Sequence, residues 1–191
     1  MKPAQNTQQS FTYGDYRLWP EDERWELIDG EAFAMSPAPI RTHQTILGEL
    51  FRQVANFLEG KPCQVYIAPF DVRLPESNET DDEVETVVQP DLVVVCDASK
   101  LDEKGCRGAP DWVVEVLSPS TASKDHVLKK LLYQRHGIRE YWLVHPTDHI
   151  LTRYLLEGQA FGPALIEETE GSTEVAVLPG LAITWGFMAA G

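Results

Sequence analysis

The chain has 191 residues, 43% hydrophobic and 24% charged, with a formal net charge of −14. That length is near the upper end for one domain and is enough to bury a sizeable core without staples. The acid excess argues against tight non-specific binding to nucleic acid, which depends on basic side chains neutralising phosphates.

Part of the excess is local, because residues 76–85 (ESNETDDEVE) carry six acids and no base and read as a solvated loop. Cys63, Cys96 and Cys106 are odd in number and form no CxxC pair, so they indicate neither a disulfide framework nor a zinc site. Cys63 and Cys96 lie in apolar surroundings and read as small core hydrophobes. The opening MKPAQNTQQS has no apolar signal core, and no apolar run approaches the ~20 residues of a membrane helix. A cytoplasmic protein with no membrane partner is the expectation.

Residues 1–20 read as a loose polar arm with one short helical turn, and 21–191 as one domain. Asp29-Gly30 between two apolar-rich runs (25–28 and 31–35) signals a two-residue hairpin. Ser36-Pro37-Ala38-Pro39 ends it. Ile46, Leu47, Leu50, Phe51, Val54, Phe57 and Leu58 recur at helical spacing over about 40–58, opposite Glu49, Arg52, Gln53 and Asn56. Residues 63–74 predict one extended segment, with Pro69 marking an edge or bulge. Residues 87–96 and 111–117 predict two strongly apolar strands, separated by a loop rich in Gly and charge. A second helix follows over about 123–136, stopped by Gly137. Residues 140–145 and 150–156 predict a further strand pair, and the tail offers short strands divided by Gly and Pro. Tyr133, Tyr141 and Trp142 read as core, and His126, His136, His145 and His149 as surface residues.

Asp91 and Glu115 stand out because each lies in or beside a run typical of strands covered on both faces. An ionised carboxylate there costs several kcal/mol unless paired or metal-bound. Antiparallel pairing that sets Asp91 opposite Glu115 also leaves a plausible connection, and it brings their Cβ atoms to about 5 Å. A divalent ion taking an oxygen from each relieves their repulsion. The competing account makes Asp91 a strand-start residue and Glu115 the partner of a buried base. If the pair serves metal-dependent hydrolysis of a phosphodiester, the site also wants a cation near the scissile phosphate. Leu117 occupies the place of the lysine in an ExK motif, so Lys129, on one helical stripe with Asp125 and Tyr133, becomes the candidate. An ordinary surface pair between Asp125 and Lys129 is the alternative. His43 reads either as a helix-start histidine or as a site-facing one. Glu31 reads either as turn chemistry or as an accessory acid beside the metal. Glu26 and Gln89 rank lower.

At these residues the sequence resembles a bacterial restriction-endonuclease-like family, a branch of the PD-(D/E)xK nuclease superfamily. The resemblance is carried by Glu26-Leu27-Ile28-Asp29-Gly30-Glu31 with Met35-Ser36-Pro37, by His43, and by Gln89-Pro90-Asp91. It continues through the stretch 114–121 (VEVLSPST), then Asp125, Lys129, Tyr133 and the stretch 137–144 (GIREYWLV). It implies an α/β fold with a restriction-endonuclease-like core (helix, three strands, helix, strand), preceded by an N-terminal hairpin and followed by extra C-terminal strands. It implies Asp91 and Glu115 as metal ligands and catalytic groups, with Lys129 replacing the missing strand lysine. The expected activity is Mg2+-dependent DNA endonuclease chemistry, with Mn2+ as substitute, in a homodimer. The alternative is a catalytically silent nuclease-fold module acting in protein binding or regulation, which the net charge and the displaced lysine favour.

Overall fold

A computed structural model describes residues 10–20, 23–35, 40–118 and 124–190. The expected hairpin stop at 36–39, the arm before residue 10 and the motif positions 119–121 lie outside these residues. Asp29 and Gly30 both take positive φ, 52° and 75°, as a two-residue hairpin turn demands. They join β1 (Trp25–Ile28) to β2 (Glu31–Ala34). Ahead of the hairpin, α1 (Tyr13–Tyr16) is the single helical turn expected, but the described part of the arm, residues 10–20, is not loose. Tyr13 is buried in a cluster with Leu27, Val84 and Val87, and the Phe11 N–H donates to Gly30 O at 2.9 Å. The rings of an otherwise polar segment anchor it.

The second helix, α2 (Arg41–Leu58), buries Ile46, Leu47, Leu50, Val54 and Leu58, the stripe that its period predicts. The segment expected to be one strand over 63–74 divides into β3 (Gln64–Ile67) and β4 (Val72–Arg73). The apolar run after the acidic stretch likewise divides into β5 (Val87–Val88) and β6 (Leu92–Val95). Both breaks fall at a proline, Pro69 and Pro90, which has no N–H to continue a ladder. At each break the chain passes between two sheets. The charged loop that follows holds a small hairpin absent from the sequence reading, β7 (Leu101–Asp102) with β8 (Gly105–Arg107). Next come β9 (Trp112–Val116), a π-helical segment (Lys124–Lys129) continuing as α3 (Lys130–Arg135), β10 (Glu140–His145) and β11 (Ile150–Glu157). The tail adds β12 (Ala160–Phe161), β13 (Leu165–Glu168), β14 (Ser172–Glu174) and β15 (Ala182–Thr184).

The result is a mixed α/β architecture of open sheets with flanking helices. The central sheet runs β12-β11-β10-β9-β6-β3, with β13 also on β11. Its β9–β10 pair is parallel, and β3–β6, β6–β9 and β10–β11 are antiparallel. Leu92, Val94, Val114 and Val116 pack with the buried stripe of α2. Val93, Val95 and Val113 face the other way, toward Leu132 and Tyr133. Helical cover on both faces explains why these strands read as continuous apolar runs. The second sheet is β2-β1-β5-β4-β8-β7, and β14 pairs with β15. Among the described residues no helix is long and apolar enough to cross a membrane.

Three further expectations need correction. The acidic stretch is not simply solvated, because Asp81 pairs with the fully buried Arg73 at 2.5 Å and with Lys104 at 2.8 Å. A buried guanidinium requires carboxylate partners, and that requirement ties the stretch down. His136 is not a surface residue, since its side chain is 7% exposed and lies 3.3 Å from Glu76. The cysteines are not all free. One step beyond the Gln64↔Val95 pair of β3 and β6, Cys63 and Cys96 meet, and a disulfide joins them. That partnership depends on strand register, which the spacing of cysteines along the chain does not report. Cys106 is free and buried.

Thiol titration of the unfolded, unreduced chain should therefore find one free thiol, Cys106, and three after reduction. Replacing Cys63 and Cys96 by Ser should lower unfolding stability by about 2–4 kcal/mol, the usual effect of opening such a loop. Three thiols without reductant would contradict the link.

Candidate active site

The β6–β9 register pairs Leu92 with Val114 and Val93 with Val113. Asp91, one residue before β6, therefore lies level with Glu115 in β9. Asp91 Oδ2 accepts the Val116 N–H at 2.8 Å and lies 3.1 Å from His43 Nε2 in the first turn of α2. Burial lowers the His43 pKa, but the hydrogen bond and charge of Asp91 outweigh it and raise the ring above its usual 6.5.

Glu115 is buried. Its Oε1 receives Lys129 Nζ at 2.8 Å and the Tyr133 hydroxyl at 3.0 Å. Lys129 Nζ also lies 2.8 Å from Glu26 Oε1 and 3.6 Å from Asp125 Oδ1. Glu26 Oε1 accepts the Gln89 N–H at 3.0 Å, and Glu26 Oε2 pairs with Lys124 Nζ at 2.5 Å. The π-helical winding of Lys124–Lys129 turns Asp125 and Lys129 inward together, and such widened turns recur at functional sites. Asp125 and Lys129 are 2% and 3% exposed, so they do not form a surface pair.

Burial, reinforced by Asp125, Asp91 and Glu26, pushes the Glu115 carboxyl up to about 8, with Lys129 opposing. Burial also pushes Glu26 up, but Lys129 and Lys124 overcome it and hold that carboxyl down at about 2. Lys129 itself is stabilised as the ammonium, since Glu115, Glu26 and Asp125 outweigh its burial.

Sequence reasoning named Asp91, Glu115, Lys129 and His43, and the structure gathers these four at one end of the β6–β9 pair. It does not bring Glu31 there. Glu31 is exposed at the hairpin tip opposite Ile28 and makes no ion pair with a described residue. Glu26, which ranked lower, is the acid that β1 delivers. The overlooked signal is a charge set between Trp25 and Leu27 in a strand with an apolar pattern. Tyr133, read as core, is core and also a hydrogen-bond donor to Glu115.

The hydrogen bonds to Asp91 fall on Oδ2 and those to Glu115 on Oε1. Oδ1 and Oε2 have no protein partner among the described residues. Among those residues no group of three His, Cys, Asp or Glu side chains is disposed to hold a metal ion. Two oxygen donors fit Mg2+, which is typically held by one or two carboxylates with water and phosphate completing its shell. Burial is the main cause of the raised Glu115 carboxyl, and the repulsion from Asp91 that adds to it is what a divalent cation would relieve.

The ion-pair cluster makes a stability prediction. Glu26 falls from 4.5 to about 2 on folding, so its contribution is complete above 4.5 and is lost as pH falls from 4.5 toward 2. Lys129→Met leaves buried carboxylates uncompensated and should cost about 3–5 kcal/mol at pH 7. Urea unfolding should show that deficit shrinking below pH 4.5. A deficit that does not change with pH would mean that lost packing, not lost charge, is the cause.

Residues 13–186 match the Uma2 family, described as "Putative restriction endonuclease". The chain is 29% identical over 137 residues to "Uncharacterized protein slr1290" of Synechocystis sp., covering 70% of this chain and 68% of that one. It also superposes on the crystal structure of "a putative nuclease belonging to DUF820" from Anabaena variabilis ATCC 29413. That match has a TM-score of 0.73 and 18% identity, and covers 94% of this chain and 98% of the other. At that identity the likeness bears on fold alone. The family match spans most of the chain, from the arm beside β1 to the segment after β15, and the protein belongs to the Uma2 family of PD-(D/E)xK-like nucleases.

Proposed function

We propose that this protein is a divalent-metal-dependent DNA endonuclease that hydrolyses phosphodiester bonds. Its restriction-endonuclease-like core would be α2, β3, β6, β9, α3 and β10. The observation that carries the proposal is two carboxylates level with each other on neighbouring chain segments, each with an oxygen that has no partner among the described residues, and a buried ammonium group on Glu115. Asp91 and Glu115 would hold Mg2+ or Mn2+, which when bound supplies Lewis-acid stabilisation of phosphate charge and a water of lowered pKa.

The chain's own groups have separate tasks. The Val116 N–H and His43 fix the orientation of Asp91. Tyr133 and Lys129 fix Glu115 through Oε1. Lys129 keeps its proton throughout and offers positive charge beside the phosphate, where charge builds as the bond breaks. The net charge of −14 means that affinity must come from shaped contacts and the metal rather than from bulk attraction. A C2 homodimer serving both strands belongs to the same proposal. So does a cytoplasmic location, which the Cys63–Cys96 bond opposes because structural disulfides are rare in reducing compartments.

A second reading, a silent nuclease-fold module, is favoured by one observation: Lys129 is already shared among three carboxylates. Incubation with supercoiled plasmid separates the two. The wild type should nick it with Mg2+ or Mn2+, and Asp91→Ala and Glu115→Ala should each be slower by about a hundredfold or more. At limiting metal the rate should climb with pH and level off near 8, where Glu115 no longer holds a proton that the ion must displace. Equal nicking by wild type and both variants would identify a contaminant and leave the silent module as the account.

A further inference from the structure

β1 has two faces. Ile28, with Glu26 beside it on the same face, points into the cluster around Leu132 and Tyr133. Leu27 points the opposite way, toward Tyr13, Tyr16 and Trp19. On this second face, away from the carboxylates, a cavity of about 350 Å³ is lined by Phe11, Trp19, Pro20, Glu23, Trp25 and Ala32. That volume is at the lower end for small-molecule sites.

Its walls are aromatic and nearly perpendicular. The Trp19 ring meets Phe11 at 82° with centroids 5.3 Å apart, and meets Trp25 at 72° and 5.6 Å. These are edge-to-face contacts between rings, and the face of an aromatic ring, the negative side of its quadrupole, attracts a cation. Among the described residues Glu23 is the one ionisable member of the lining, and its Oε2 accepts the Trp25 indole N–H at 3.0 Å, which pins a carboxylate at the edge of the rings. The nearest base in sequence, Arg24, is committed elsewhere, to Gln89 Oε1 at 2.7 Å.

We propose that this cavity is a binding site for a small quaternary ammonium compound. Methyl groups on the nitrogen match the apolar walls and spread the charge, so less hydration is lost than for a primary ammonium. The rings and Glu23 then supply the attraction. A stacked nucleotide base would also use aromatic faces. It would, however, bring its phosphate toward Glu23 and a chain of net charge −14, with no basic side chain among the described lining residues. The observations favour the cation. The proposal is independent of the carboxylate site, which lies at the β6–β9 pair beyond the other face of β1.

Isothermal titration of the full chain with choline and with its neutral isostere 3,3-dimethylbutan-1-ol isolates the charge. Choline should bind at one site per chain, with the isostere roughly fivefold to thirtyfold weaker, the range expected of cation–π attraction. Trp19→Ala should abolish choline binding. The exposed Glu23→Gln should weaken it several-fold without changing thermal stability or plasmid nicking. Equal affinity for choline and the isostere would overturn the proposal. So would choline binding that survives both substitutions, or no choline binding by folded wild type. Binding of a trimethyl-lysine peptide or a single-stranded oligonucleotide in place of choline would also contradict it.

Discussion

The ammonium group of Lys129, buried within 3.6 Å of Glu115, Glu26 and Asp125, is the interaction on which the rest of this structure depends. Its partners come from the central sheet, the N-terminal hairpin and the helical segment after β9. Each buried charge costs several kcal/mol unless compensated. Any relative movement of hairpin, sheet and helix would leave one of them unpaired. The cluster thus fixes how the two sheets meet, and it does so at the end of the strand carrying Glu115.

Compensation is incomplete, and that shapes the chemistry. Among the described residues Lys124 pairs with Glu26 and not with Glu115, so Glu26 stays ionised while burial and the neighbouring acids lift Glu115 toward neutrality. Asp91 adds to the rise of Glu115, and between the two lie carboxylate oxygens that have no protein partner among the described residues. A site in this condition favours a further cation. The backbone prepares it: at Pro90 the chain passes from one sheet to the other, placing the Gln89 N–H on Glu26 and Asp91 on Val116.

Much of this was legible in the sequence because it is local or periodic. Asp29-Gly30 dictates its own turn, and the stripe of α2 follows from its 3.6-residue period. The apolar runs of β6 and β9, with a charge at a matching place in each, imply their register. What escaped depends on contacts between distant segments. Cys63 and Cys96 become neighbours only through the β3–β6 ladder. Glu26 is a site residue only because hairpin and helical segment meet over the sheet, and the burial of Arg73 decides what the acidic stretch does. Pro69 and Pro90 were visible, but a proline marks where a ladder stops and does not say that the chain enters a second sheet. β7 and β8 are too short, two and three residues, to leave a pattern.

The most direct test of the central claim is a crystal soaked in Mn2+ and measured at the manganese absorption edge. The account predicts an anomalous peak bonded to one oxygen of Asp91 and one of Glu115, with Lys129 still on the opposite Glu115 oxygen. Saturating Mn2+ that leaves no peak there, with both carboxylates in place, would contradict it.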